Sequence, residues 1–223
     1  MRNESLKACL LAGLVVAAGV SALAAPRAGT TKTPAVAAVD KWTPDQFTAA
    51  KSLGVKNAPI MIEDFADFQC PSCKMLFEGT TQELIQNYVN TGKVYLVHHD
   101  FPLPMHPHSR EAARWANAAA VIGKFEQVEA VLYAQQEIWG ASGDIQKALS
   151  GVLTPAELKR CSELVNNPEI EQAIQKDVIL GTERHVNSTP SLFVTHNAKV
   201  VPLPPGPVQY VILKQYIDYL LKQ

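Results

Sequence analysis

The sequence predicts an α/β fold in which helices flank a mixed central sheet and an all-helical segment interrupts it. Three observations support this prediction. An apolar strand pattern ends at Cys70-Pro71-Ser72-Cys73 and is followed by a helical pattern and a second strand. Residues 109–184 then have an almost wholly helical pattern. Two short strands and a last helix follow, so the predicted order is β, α, β, a helical block, β, β, α.

The composition allows a substantial core and gives no sign of a nucleic-acid partner. The chain has 223 residues, 47% of them hydrophobic, which suits one domain with an insertion or two small domains. Its formal net charge is −1. A nucleic-acid-binding domain normally carries a clustered positive charge, so we expect none of that activity.

Residues 1–24 have the pattern of a cleaved signal peptide, and an uncleaved N-terminal anchor is the alternative. The parts of the pattern are the cations Arg2 and Lys7, the apolar stretch 8–20 and the cleavage site Ala22-Leu23-Ala24, which has a small residue on each side of Leu23. Residues 25–41 lack apolar periodicity and predict a flexible linker. The mature chain would keep three cysteines in a compartment where disulfides persist, namely Cys70, Cys73 and Cys161.

The first structural elements lead to the cysteine pair. Thr43 and Pro44 predict a helix start, with Thr43 as the N-cap. Residues 59–65 predict a buried strand, and the helix after the cysteines ends near residues 90–92. Residues 93–100 predict a second strand, which a right-handed crossover places parallel to the first.

The later elements are a helical block and a second sheet segment. Three prolines between Phe101 and His108 exclude helix and central strand there. Within the block we expect helices to start near residues 123, 142, 154 and 167. Residues 191–195 and 199–201 predict a hairpin, and a last helix is expected from Pro207.

The cysteine pair predicts a redox centre. Cys70 lies at the N-terminus of a helix, where unpaired N–H groups and the helix dipole favour a thiolate. We expect Cys70 to be accessible and to be the attacking sulfur, and Cys73, one turn later, to be the buried resolving thiol. A purely structural disulfide and half of a zinc site are the alternatives, although zinc needs about two more ligands.

Three segments together resemble the DsbA-like thiol:disulfide oxidoreductases. They are Asp64-Phe65-Ala66-Asp67-Phe68-Gln69-Cys70-Pro71-Ser72-Cys73, His99-Asp100-Phe101-Pro102-Leu103 and Ser188-Thr189-Pro190-Ser191-Leu192-Phe193-Val194. The resemblance implies a thioredoxin-like fold formed by residues 42–104 and 186–223, with a helical insertion domain at 105–185.

The resemblance also implies roles for individual residues. It implies that Thr189-Pro190 is cis and pairs with a substrate peptide beside the sulfurs, where Pro71 and Ser72 also contact substrate. Asp64 stands where the family places a buried acid beneath the sulfurs, which accepts a proton from the resolving thiol or tunes that thiol; an exposed strand end is the alternative for Asp64. Two positions differ from the common pattern. Ser188 replaces a glycine, and the Pro-Ser dipeptide lacks the histidine of the best-known oxidases, which leaves the oxidising strength open.

The remaining candidates predict no cofactor and no metal site. His98 and His99 would point to opposite sides of one strand and therefore cannot chelate together. His106 and His108 lie in the proline-rich loop, where we expect structural or surface roles. Cys161 is expected to be a buried apolar residue, with a reactive or dimer-linking thiol as the alternative.

The leading functional hypothesis is an exported, periplasmic or otherwise secreted, dithiol oxidase that introduces disulfides into newly secreted cysteine-containing proteins. The resemblance implies reoxidation by a membrane quinone-linked partner, DsbB-like or VKOR-like. A disulfide reductase or isomerase is the alternative within the enzymes, and a thioredoxin-fold binding or chaperone module is the alternative outside them. Nothing in residues 25–41 suggests a dimerisation domain, so a monomer is expected.

Overall fold

The computed structural model describes residues 42–223. The predicted signal peptide and linker lie outside these residues. Across the described part of the chain, no helix combines the length and the apolar character needed to cross a membrane.

Five strands and nine helical stretches make up this part of the chain, and apart from one short additional strand they follow the predicted order. The strands are β1 Ser52–Leu53, β2 Ile60–Ala66, β3 Val94–Asp100, β4 Ser191–His196 and β5 Lys199–Pro202. The helices are α1 Pro44–Ala50, α2 at 71–89, α3 Ser109–Val121, α4 Phe125–Ala134, α5 Gln136–Ser142, α6 Ile145–Leu149, α7 Pro155–Leu164, α8 Pro168–Glu183 and α9 Tyr210–Leu220. Helix α2 is continuous but contains two π-helical segments, Phe77–Thr81 and Ile85–Val89.

The strands form one mixed sheet in the order β1-β3-β2-β4-β5. Strands β2 and β3 pair in parallel, as the crossover through α2 predicts, and the other three pairings are antiparallel. The mixed sheet flanked by helices, with a helical block between β3 and β4, confirms the predicted fold class.

The two faces of the sheet are covered by different helices because side chains alternate along each strand. Ile60 and Ile62 of β2 pack against α2 and α9 in one apolar cluster. Phe65 lies on the same strand but points to the opposite face of the sheet, where it packs with Phe101 and Phe193. A third cluster joins the cysteine pair to the helices that follow β3. The redox pair therefore lies where the sheet meets the helical block.

Local sequence explains several boundaries. Thr43 caps α1 through a capping box with Gln46, and Pro44 occupies the first turn. Thr154 caps α7 in the same way with Glu157. In the β4–β5 hairpin, Asn197 and Ala198 adopt φ angles of 48° and 61°, the left-handed region that a two-residue turn requires.

Three details differ from the sequence-based expectations. Strand β1 has only two residues, too few to give an alternating pattern. Ser142 ends α5 instead of starting a helix, because Gly143 turns left-handed and Asp144 caps α6. Helix α9 begins at Tyr210, three residues after Pro207, because the extended residue Gln209 is its N-cap.

Candidate active site

Cys70 and Cys73 lie at the start of α2, directly after β2 and a short loop. Cys70 is the N-cap residue and Pro71 occupies the first turn, which places the Cys70 sulfur at the positive end of the helix. Both cysteines are free thiols in this structure. Cys73 is 2% exposed and Cys70 only 7%, so Cys70 is more covered than its position at a helix end predicts. Pro71 is exposed and Ser72 half-buried.

The two thiols have opposite proton affinities. A hydrogen bond with Cys73 is the largest influence on Cys70 and, with the backbone N–H groups of Ser72 and Cys73, lowers the Cys70 pKa to about 5 against the effect of burial. Burial raises the pKa of Cys73 well above its usual range, and the hydrogen bond with Cys70 and the charge of Asp64 act in the same direction. Near neutral pH the pair therefore consists of a Cys70 thiolate and a Cys73 thiol.

Thr189 covers the Cys70 sulfur from the loop before β4. While it is protonated, Cys70 Sγ donates a hydrogen bond to the Thr189 carbonyl oxygen at 3.4 Å. The Thr189–Pro190 peptide bond is cis, as the resemblance implies. Both residues are buried, which explains in part why Cys70 is so little exposed.

Asp67 organises the backbone around the pair, a role that the sequence reasoning missed. Its backbone N–H donates to Cys73 Sγ at 3.4 Å, and its carbonyl oxygen accepts from the Cys70 N–H at 3.0 Å. Its buried carboxylate accepts from the Leu103 N–H at 2.8 Å and pairs with His106 Nδ1 at 2.7 Å. The proline-rich loop is thereby attached to the cysteine turn.

Two glutamines attach the same turn to the helical block. Gln136 on α5 donates from Nε2 to the carbonyl oxygens of Phe68 and Cys70, at 2.7 and 3.0 Å. Gln69 donates in return to the Gly140 carbonyl at 3.0 Å and accepts from the His108 N–H at 2.8 Å. The resemblance carries Gln69 within its first segment, but no sequence signal links Gln136 to the cysteines.

Asp64 lies on β2, on the side of the sheet that the cysteines share. Its Oδ1 is shielded from solvent and has no hydrogen-bond partner among the described residues. Burial is the main reason why the pKa of Asp64 rises to about 7; the charge of Glu129 acts in the same direction and that of His98 opposes it. A carboxyl group with this pKa can give or take a proton near neutral pH. Glu63, which points to the other side, instead pairs with His99 and Arg184.

A network of charged side chains lies next to this site and links strands β2 and β3 to helices α4 and α8. We call it the buried ion network. Its members are Lys51, Glu63, His98, His99, Asp100, Glu129, Asp177 and Arg184. Lys51, which is 1% exposed, pairs with both Asp100 and Asp177. Although burial favours a neutral ring, hydrogen bonds to Asp100 and Glu129 raise the pKa of His98 to about 9.

The two histidines of β3 are both paired with carboxylates. His98 and His99 bind carboxylates in different places: His98 contacts Asp100 and Glu129, and His99 contacts Asp177 at 2.8 Å. No group of three potential ligands within residues 42–223 is arranged to hold a metal ion.

Cys161 is fully buried on α7, and burial raises its pKa to about 12, so the thiol is unreactive at ordinary pH.

The arrangement can perform thiol–disulfide exchange. It provides one sulfur held as a thiolate, a second sulfur one turn away and a carboxyl group able to exchange its proton. The fold and this site together define a thiol:disulfide oxidoreductase.

Comparisons with known proteins agree. The Thioredoxin_4 family model, described as thioredoxin, matches residues 48–216. The probable disulfide bond formation protein D of Bacillus anthracis is 23% identical over 160 residues, which cover 68% of this chain and 72% of that protein. The chain therefore belongs to the thioredoxin family, and within it to the DsbA-like oxidoreductases.

Solved structures show the same fold. DsbA2 of Pseudomonas aeruginosa superimposes with a TM-score of 0.62 at 26% identity, over 78% of this chain and 95% of that one. For alpha-DsbA1 of Wolbachia pipientis the TM-score is 0.63 at 19% identity, over 77% and 90% of the two chains. An enzyme of this class exchanges disulfides with cysteine-containing proteins and is reset by a redox partner.

Proposed function

We propose that this chain is an exported dithiol oxidase that transfers its Cys70–Cys73 disulfide to newly secreted proteins. The observation that carries the proposal is the low pKa of Cys70, about 5, beside a buried Cys73. A stabilised thiolate favours the reduced enzyme, and an enzyme with a stable reduced form is a strong oxidant. The name of the Bacillus anthracis relative, which refers to disulfide bond formation, supports the same direction.

The reaction runs in two exchanges. A substrate thiolate attacks Cys70 Sγ, the Cys70–Cys73 bond breaks, and Cys73 leaves as a thiolate that takes a proton from the Asp64 carboxyl group. A second substrate thiolate then attacks the substrate sulfur of the mixed disulfide. The substrate disulfide forms, and Cys70 leaves as its stabilised thiolate. Two electrons pass from the substrate to the enzyme.

Reoxidation reverses the proton step. The Cys70 thiolate attacks a disulfide of the partner, and the Cys73 thiol gives its proton to the Asp64 carboxylate before it attacks Cys70 Sγ. We propose a membrane quinone-linked protein, DsbB-like or VKOR-like, as that partner. Pro71, Ser72, Thr189 and Pro190 surround Cys70 and would contact the incoming peptide.

The proposal includes the organisation of the chain. Residues 1–24 would direct export and residues 25–41 would form a linker. The thioredoxin-like domain would comprise residues 42–104 and 186–223, and the helical insertion residues 105–185. The positions of α3 to α8, all between residues 109 and 183, support the last range. We propose that the enzyme acts as a monomer.

The reduction potential of the cysteine pair tests the proposal. We expect a value nearer to the −120 mV of DsbA than to the −270 mV of thioredoxin, measured against glutathione. The Cys73→Ala variant should accumulate mixed disulfides with substrate through Cys70, whereas Cys161→Ala should accumulate none. A potential near that of thioredoxin would favour the reductase or isomerase reading instead.

The role of Asp64 has its own test. In Asp64→Asn, closure of a Cys70 mixed disulfide by Cys73 should slow by about 100-fold, the usual size of a general acid–base contribution. The matched control is Glu63→Gln, which alters a neighbouring buried acid whose partners are His99 and Arg184. Equal rates in the two variants, followed by stopped-flow fluorescence, would remove Asp64 from the mechanism.

A further inference from the structure

We propose that His98 and Glu129 are positioning residues that set the proton affinity of Asp64. Through Glu129, helix α4 of the helical block would act on the proton step of the resolving cysteine. This inference rests on the proposed role of Asp64 as the proton acceptor of Cys73, and it concerns two side chains that touch neither sulfur in the mechanism above.

The geometry brings three side chains together. In the parallel pairing of β2 and β3, Asp64 is the register partner of His98. His98 Nδ1 lies 3.4 Å from Glu129 Oε1, while Nε2 lies 3.3 Å from Asp100 Oδ1. Asp64, His98 and Glu129 line the same small cavity, which Lys51 also borders. The shielded Oδ1 of Asp64 has no hydrogen-bond partner in residues 42–223, so the charges across this cavity are its main polar environment.

The neighbouring charges are of both signs. The titratable or charged groups around Asp64 and His98 are Lys51 after α1, Cys70 and Cys73 on α2, His99 and Asp100 on β3, and Glu129 and Tyr133 on α4. Lys51 and Asp100 form a buried ion pair with each other, which reduces the field of each at Asp64. His98 and Glu129 also pair with each other, but both line the cavity beside Asp64, where a cation and an anion act on the same carboxyl group in opposite directions.

The buried ion network supports this assignment by its charge count. With both histidines protonated it holds four cations, Lys51, His98, His99 and Arg184, and four carboxylates, Glu63, Asp100, Glu129 and Asp177. The pKa of each histidine is raised, consistent with that state. An ionised Asp64 would add a fifth negative charge without a cation of its own, and loss of either His98 or Glu129 would change that balance in opposite directions.

The test uses two variants with opposite expected signs. His98→Gln removes the cation and should raise the Asp64 pKa, whereas Glu129→Gln removes the anion and should lower it. Each shift should be about one pH unit, the usual size for a charge close to a carboxyl group. The His98→Gln/Glu129→Gln double variant should return close to wild type. The carboxyl titration of Asp64 is followed by NMR in protein carrying carbon-13-labelled aspartate, with Asp64→Asn identifying the signal.

His99→Gln is the matched control, because it also removes a buried histidine that pairs with two carboxylates. It should raise the Asp64 pKa by less than His98→Gln does. Thermal unfolding establishes that each variant is folded; if His98→Gln is not, the downward shift in Glu129→Gln decides the question alone. Shifts in the same direction, or no shift, would overturn the proposal.

A second readout separates this inference from the proposed function. The pH midpoint of Cys73 reactivity should move together with the Asp64 titration in each variant. If the titration moves and the Cys73 rate does not, His98 and Glu129 set the proton affinity of Asp64 but Asp64 is not the proton acceptor. If Asp64→Asn slows Cys73 and the titration of Asp64 stays unchanged in both variants, the role of Asp64 stands and the present assignment is wrong.

Discussion

The side-chain amide of Gln136 donates a hydrogen bond to the carbonyl oxygen of Cys70 at 3.0 Å, and to that of Phe68 at 2.7 Å. Gln136 belongs to α5, far along the chain from the cysteine turn, and is 5% exposed. Cys70, the N-cap residue of α2, is thus held in place by a helix of the helical block.

Gln136→Ala should lower the free energy of unfolding by about 1–3 kcal/mol, since it leaves the buried Phe68 carbonyl without this donor. Urea unfolding monitored by circular dichroism measures the change. Gln146→Ala, at an exposed position of α6, is the control and should change stability by less than about 0.5 kcal/mol. Equal effects of the two substitutions would show that the contact contributes nothing.

The Cys70 thiolate should titrate with a midpoint near pH 5, visible as absorbance at 240 nm in the reduced protein and absent in Cys70→Ser. The pKa of Cys70 in the folded protein lies below the ordinary thiol value of about 8.5, so its ionisation stabilises the reduced fold, fully so above about pH 8.5. This stabilisation should be lost as the pH falls from about 8.5 through 5. The oxidised protein, which has no Cys70 thiol, should not show it. A midpoint near 8.5 would contradict the site electrostatics.

Lys51→Met should destabilise the protein by about 3–5 kcal/mol, because Asp100 and Asp177 would remain buried without their shared cation. Lys176→Met is the control: this lysine also pairs with an aspartate, Asp45, but both side chains are exposed. Its loss should change stability by less than about 1 kcal/mol. Chemical denaturation compares them, and a similar small effect at both sites would exclude a structural role for the buried pair.

Gly181→Ala tests how closely α8 packs on the sheet. An added Cβ would lie 2.6 Å from the Phe101 ring and 3.1 Å from Phe65, so we expect a loss of about 1–3 kcal/mol. Gly79→Ala meets no atom within 4 Å and lies inside α2, where alanine should stabilise by up to about 1 kcal/mol. Thermal melts should therefore shift in opposite directions, and a shift of the same sign would mean that the packing at Gly181 adapts.

The sequence was most informative where structure depends on neighbouring residues. The C-x-x-C turn, the Thr43 cap and the parallel β2–β3 unit are local patterns, and each appears in the structure. The cis Thr189–Pro190 bond came from the family resemblance and not from any local signal.

Contacts between distant segments were not predictable in this way. Lys51 follows a short amphipathic helix and has the sequence context of a surface residue, yet it is buried between two aspartates. Glu129 and Gln136 lie in helices whose pattern reports only which face is apolar. Their partners, His98 and Cys70, depend on how the helical block docks, which no single-residue preference encodes.

The burial of Cys161 has a practical consequence for thiol labelling. Cys73 and Cys161 both have raised pKa values and almost no exposure, so at mildly acidic pH an alkylating reagent would modify one sulfur within residues 42–223, that of Cys70. The reduced enzyme would gain one adduct in this region and the oxidised enzyme none. Intact-mass spectrometry of quenched cells would then count the two redox forms directly, with no need to substitute any cysteine.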